Sequence, residues 1–203
     1  GDEIVSRLLS IRELLLEMNS KGDHQSCYNV DADTSSFNQV IRACYAPWQS
    51  TSKVLNDEIT RHEALDIVYD CYTAMSQDYN SPHRPDAHTY GHLFKAISCL
   101  LPSTNVNPET NDRKYKLCST ILHDCCEEGY LTKSALWTLR NMFTDDVFAK
   151  LLLSELGHRG VNMSKEKFIS IPENRLLHFL PKEWSRKGSK YQSLNSHRQY
   201  KSE

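Results

Sequence analysis

The densest grouping of residues able to do chemistry is His123-Asp124-Cys125-Cys126, with Cys118 one to two helical turns earlier. Cys118, Cys125 and either Cys71 or Cys99 carry the donor atoms of a tetrahedral zinc site. No C-x-x-C pair exists, however, and adjacent cysteines do not readily both face one ion. Cysteine on an amphipathic helix is more often a small core residue, and that role is expected here, with no metal and no cofactor. His62-Glu63 lacks the second histidine of a zinc-protease helix. The seven glycines form neither a phosphate-cradling loop nor a nucleophile elbow. Asp145-Asp146 reads as the cap of a helix. With no catalytic constellation in view, the chain is expected not to be an enzyme.

Charge and apolar patterning narrow the partners. The formal net charge of −2 hides an asymmetry: between Lys182 and Glu203, six basic residues (Lys182, Arg186, Lys187, Lys190, Arg198, Lys201) face only Glu183 and Glu203. The remaining 18 basic residues face 24 acidic ones, so the body lacks the basic footprint usual in nucleic-acid binders. The apolar clusters Leu14-Leu15-Leu16 and Leu151-Leu152-Leu153 are interrupted far short of membrane-spanning length, and no membrane partner is expected. An odd cysteine count without a framework of spacings points to a reducing compartment. The chain begins at Gly1 without a signal pattern, which is read as a mature chain or a piece of a longer one.

The elements that position these residues are helices, because apolar residues recur at steps of three and four. Ile4, Leu8, Ile11, Leu15 and Met18 form one stripe, stopped by Lys21-Gly22. Asp33 precedes Phe37, Val40, Ile41 and Cys44, with Pro47 as terminator. Ala64, Ile67, Val68, Cys71, Tyr72 and Met75 share a face, and Asp86 opens a helix with Tyr90, Leu93, Phe94, Ile97 and Leu101 inward. A helix from Arg113 to Glu128 stops at Gly129, and Thr132 and Asp145 read as caps of two more, ending near Phe143 and Leu156.

These helices repeat. Ile11, Met18, Asp33, Phe37, Ile41 and Ala43 fall over Ala64, Cys71, Asp86, Tyr90, Phe94 and Ala96 at a constant offset of 53. A weaker third copy sets Cys118 over Ala64 and Cys125 over Cys71 at an offset of 54. The organisation expected is a repeat region over 1–156, with units at 1–32, 33–86 and 87–128 and capping helices at 129–156. From 157 to 203 a C-terminal extension follows, with a short apolar piece, Leu176 to Leu180, docking on the last unit and a mobile basic tail after Gly188.

The stretch Pro85-Asp86-Ala87-His88-Thr89-Tyr90-Gly91-His92-Leu93-Phe94-Lys95-Ala96 resembles the junction between units of pentatricopeptide-repeat proteins, with Asp33 to Ile41 a looser version. Ala64 to Val68 resembles the second helix of such a unit, and the likeness extends over residues 3 to 128. The family's units are about 35 residues long, so a spacing of 53 requires added residues around Pro47 to Thr60 and Tyr72 to His83. Such surface insertions cost little in closure entropy.

The resemblance implies an all-α, right-handed α-solenoid of helix-turn-helix repeats, similar to pentatricopeptide and tetratricopeptide arrays, with a mostly irregular C-terminal tail. It implies single-stranded RNA as partner, bound weakly by this chain alone, in a mitochondrion or plastid. Asn38 paired with Asp86 would read one base, a pairing associated with uracil in the family. Asp33 would close the preceding unit, Gly91 would leave the next unspecific, and Ser35 and His88 would sit between neighbouring bases. Asp33 and Asp86 are at the same time helix N-caps by position. Trp184 could stack on a base while Arg186 and Lys187 contact phosphate. A scaffold binding another protein through its concave face is the alternative function.

Overall fold

The computed structural model describes residues 2–19, 32–49, 58–77, 83–102 and 108–188. Every regular element among them is helical, so the fold is all-α: α1 (Asp2–Asn19), α2 (Thr34–Tyr45), α3 (Glu58–Gln77), α4 (Ala87–Leu100), α5 (Pro108–Glu128), α6 (Lys133–Met142), α7 (Asp145–His158), α8 (Lys165–Ile169) and α9 (Glu173–Phe179). Short 3-10 turns occupy Ala46–Trp48 and Lys182–Ser185. The chain divides into two compact units, Gly1–Pro102 and Ser103–Glu203. The proposed third repeat, 87–128, is thereby split, with α4 in the first unit and α5 in the second.

In the first unit, local sequence signals start the helices where they were expected. The Asp33 carboxylate accepts from the Ser36 backbone N–H at 2.7 Å, and the Asp86 carboxylate accepts from that of Thr89 at 2.8 Å. Asp86 completes a capping box, since its own N–H donates to Thr89 Oγ1 at 3.1 Å. Four residues after each cap comes a buried aromatic, Phe37 and Tyr90. Full burial of such a side chain contributes about 1.5–3 kcal/mol, enough to hold a helix whose intrinsic propensity is marginal.

Each helix packs on its successor and on the next but one: α1 touches α2 and α3, α2 touches α3 and α4, and α3 touches α4. The core between them holds Ile41, Cys44, Ala64, Val68, Cys71, Met75, Leu93, Phe94 and Ile97, all buried. Tyr72 and Tyr90 meet edge to face at 6.4 Å between ring centroids. Ala96 is fully buried, whereas Ala43 is only partly covered. Helix α3 runs from Glu58 to Gln77, taking into regular helix part of the chain expected as insertions. Of the α1 stripe, Leu8 and Ile11 are buried; the side chains of Ile4, Leu15 and Met18, and the Lys21-Gly22 stop, lie outside the described residues.

The second unit corrects the expectation of an irregular C-terminal extension from residue 157. Helices α8 and α9 and the turn at Lys182–Ser185 follow α7, and Phe168, Ile171, Leu176, Leu180 and Trp184 are buried. Helix α7 packs on α8, with Phe148 and Phe168 6.0 Å apart, and α9 packs on α6. Each element is too short to show a helical period, and Pro172 and Pro181 bracket the short apolar piece from Leu176 to Leu180. Here they start the segments: Pro172 precedes α9 and Pro181 precedes the 3-10 turn.

Gly129 sets the other end of this packing. Its φ of +78° ends α5 in the left-handed conformation that glycine adopts without strain. Its carbonyl accepts from the N–H groups of Lys187 and Gly188 at 2.9 and 3.1 Å, and the Leu131 N–H donates to the Trp184 carbonyl at 2.7 Å. Asp145 is not itself a cap: Thr144 holds that position without a side-chain bond, and Asp145 is the first helical residue, 3.3 Å from Arg140. Asp146 pairs with Lys165 at 2.7 Å. The tail from residue 189 onward, with Lys190, Arg198 and Lys201, lies outside the described residues. No helix among the described residues is long and apolar enough to cross a membrane.

Candidate functional site

Asn38 and Asp86, 48 positions apart, are brought into contact by the packing of α2 on α4. Asn38 Nδ2 donates to Asp86 Oδ1 at 3.3 Å, and the same oxygen accepts from the backbone N–H and hydroxyl of Thr89 at 2.8 and 3.0 Å. Asp86 thus caps α4 and orients the Asn38 amide with one atom. The opposite orientation of the amide would place two oxygens against each other, so the Asp86 carboxylate selects the one with Nδ2 inward. Asn38 is 8 % exposed, and its Oδ1 has no hydrogen-bond partner among the described residues. A buried acceptor left unmatched costs about 1–3 kcal/mol, which a donor from a ligand would recover.

Two further polar bridges join the same elements. Thr34 Oγ1 donates to the Arg84 carbonyl at 3.0 Å, and Tyr45 Oη lies 2.7 Å from His92 Nδ1. Thr34, Asn38 and Tyr45 recur at helical intervals of four and seven, so they line one stripe of α2 facing α4 and its lead-in. Burial foremost, helped by Lys95, holds His92 below the ordinary histidine range and so favours the neutral ring, whose tautomer sets which of the two partners donates. Burial likewise raises Tyr45 and keeps its proton in place. Sequence reasoning missed Tyr45 and His92, which lie 47 positions apart and carry no local signal of their contact.

The other expected RNA contacts divide. Ser35 and His88 lie exposed in the first turns of α2 and α4. Asp33 is exposed, and its bonds from Ser36 hold its carboxyl below the usual carboxylate range. Gly91 has open space where a Cβ would stand. In the second unit, Trp184 cannot stack on a base as placed, because it is fully buried, with the Arg159 guanidinium 5.9 Å from its ring. Arg186 is exposed at its end but lays its stem over Gly129. Lys187 pairs with Glu128 at 3.3 Å and sits 4.8 Å from the Tyr130 ring centroid.

Five of the cysteines are core residues, as their helical spacing implied, and Cys99 is only partly covered. Cys44, Cys71, Cys118, Cys125 and Cys126 are buried and free, and Cys27 lies outside the described residues. Burial pushes the Cys44 and Cys118 thiols up to about 12 and raises Cys71, Cys125 and Cys126 strongly. Burial that raises these thiols disfavours the thiolate, the form that attacks or ligates. His123 turns away from them to Glu155, 3.0 Å off, in a grouping that also includes His158. The sequence concealed it because its members come from two helices; the Glu-x-x-His spacing on α7 was its local trace.

Comparison with protein-family models, with curated proteins and with solved structures returns no match.

Proposed function

We propose that the chain is a pentatricopeptide-repeat-like protein that binds single-stranded RNA, in a mitochondrion or plastid by the same resemblance. The observation that carries this reading is the bond from Asn38 to Asp86, which joins the residue after one repeat's aromatic to the cap that opens the next repeat. In this reading α2 and α4 are the first helices of consecutive units in a right-handed solenoid, and the contact of each helix with the next but one fits that stacking. Asn38 keeps an acceptor, Oδ1, and a second N–H on Nδ2. That pattern matches the N3–H donor and adjacent carbonyl of uracil. Because Asn38 is 8 % exposed, the base is met by a small turn of the side chain outward.

Affinity is expected to be weak, since acidic residues outnumber basic ones outside the Lys182–Glu203 segment. Fluorescence anisotropy with labelled oligouridine and oligoadenosine at two salt concentrations tests the reading. Salt-sensitive binding that favours oligouridine supports it, each phosphate contact adding about 0.7 to the logarithmic salt slope for a single strand. Absence of salt-sensitive binding at high protein concentration overturns it.

A second reading, a scaffold for another protein, draws on a different observation. An open pocket of about 570 Å³ lies between α6 and α9, lined by Leu136, Leu177 and the half-exposed Trp137. Tryptophan at a pocket rim is a frequent anchor of protein interfaces. Capture of a protein partner that Trp137→Ala abolishes, without RNA binding, favours this second function.

A further inference from the structure

We propose that His123, Glu155 and His158 form a binding site for one first-row divalent metal ion of the zinc class. Helix α5 supplies His123, and α7, which packs on it, supplies Glu155 and His158 three residues apart on one face. The ligand atoms all lie within 4.8 Å of one another: His123 Nδ1 is 3.0 Å and His158 Nδ1 4.0 Å from Glu155 Oε2. In a tetrahedral zinc site with ordinary bond lengths, neighbouring ligand atoms stand about 3.4 Å apart. The two observed separations from Glu155 Oε2 bracket that spacing.

Burial and charge favour a cation there. The Glu155 side chain is 6 % exposed, whereas those of His123 and His158 are 49 % and 64 % exposed. A buried carboxylate is therefore roofed by two imidazoles that remain open to an incoming ion, and the two rings stand nearly perpendicular at 6.3 Å. Asp124 and Glu127 add negative potential around His123. The nearby cation Arg159 is engaged by Glu127 and by the Trp184 ring. Two imidazole nitrogens and one carboxylate oxygen are an intermediate-to-hard set that suits zinc and leaves a fourth position for water. The ion would clamp α5 to α7, so its effect is read as stability of the second unit. This inference is independent of RNA binding.

Zinc titration of the full chain by calorimetry, with cobalt(II) absorption as a second readout, tests it. One equivalent is expected to bind and to raise the melting temperature. Cobalt should give the visible bands of a low-symmetry four-coordinate ion without the thiolate charge-transfer band that cysteine ligation adds. His123→Ala and His158→Ala should each weaken zinc binding at least tenfold, and the double variant should lose both the equivalent and the thermal shift. Both histidines are largely exposed, so helical circular dichroism should be unchanged; His123→Gln with His158→Gln serves if either alanine variant misfolds. Failure of the wild-type chain to take up one equivalent, a thiolate band, or wild-type affinity in the double variant overturns the proposal.

Discussion

The Tyr45 hydroxyl rests 2.7 Å from His92 Nδ1, tying α2 to α4 through a histidine held neutral by its surroundings. Burial, then Lys95, His88 and Arg42, lower the folded-state pKa of His92 below its ordinary value of 6.5. The unfolded chain therefore binds more protons in the interval beneath 6.5, so stability is full above that value and is lost as pH falls toward the folded pKa. Urea unfolding followed from pH 7 to pH 5 should show a declining midpoint, and His92→Gln should flatten that decline. Tyr45→Phe, which removes the hydroxyl alone, should cost about 1 kcal/mol.

The base-reading role of Asn38 and Asp86 separates from their structural role by choice of substitution. Replacing both with Ala should reduce preference for uracil by about 1 kcal/mol, but loss of the Asp86 cap alone costs about 1 kcal/mol of stability. Asn38→Ala leaves the Asp86 cap of α4 in place, with its bonds from Thr89, while removing the amide that would meet the base. It should keep the melting curve near wild type and still lose preference for uracil, measured by competition between oligonucleotides. Equal preference in wild type and variant would sink the pairing.

Gly129 and Trp184 should dominate the stability of the second unit. A Cβ at Gly129 would stand 2.8 Å from the Glu183 carbonyl oxygen, in a backbone conformation with φ +78°. The clash is with main chain, so Gly129→Ala should destabilise by about 1–3 kcal/mol. Trp184→Ala, at a site with no exposed surface, should cost about 3–5 kcal/mol. Denaturant midpoints measure both, and a change within 0.5 kcal/mol for either would contradict this packing.

The cysteines should behave as hydrocarbon. With Cys118 pushed up to about 12 and Cys125 and Cys126 raised as well, these thiols should react with a disulfide reagent far more slowly in the native chain than in denaturant. A chelator should leave the helical circular dichroism unchanged, since no thiol holds an ion that the fold requires. Zinc bound through these sulfurs, with unfolding on its removal, would falsify the assignment.

Helix positions were legible because the signals that specify them act within one or two turns. Asp33 and Asp86 bond to groups three residues away, and Phe37 and Tyr90 stand four residues after them. Repeated local signals also exposed the 53-residue offset. The C-terminal segment was not legible, since five- and seven-residue helices carry no period and depend on what they pack against.

From its sequence alone this protein is a helical chain with repeated caps and apolar stripes and with cysteines in its core, because those properties follow from residue type and spacing along one helix. Which side chains meet across helices was decided only by the tertiary structure. Asn38 meets Asp86 across 48 positions, His123 meets Glu155 across 32, and Trp184, which the sequence offered as a base-stacking ring, is buried. The physical reason is that helical period selects a face, whereas the partner of that face is set by packing of elements distant in sequence, to which local spacing is blind.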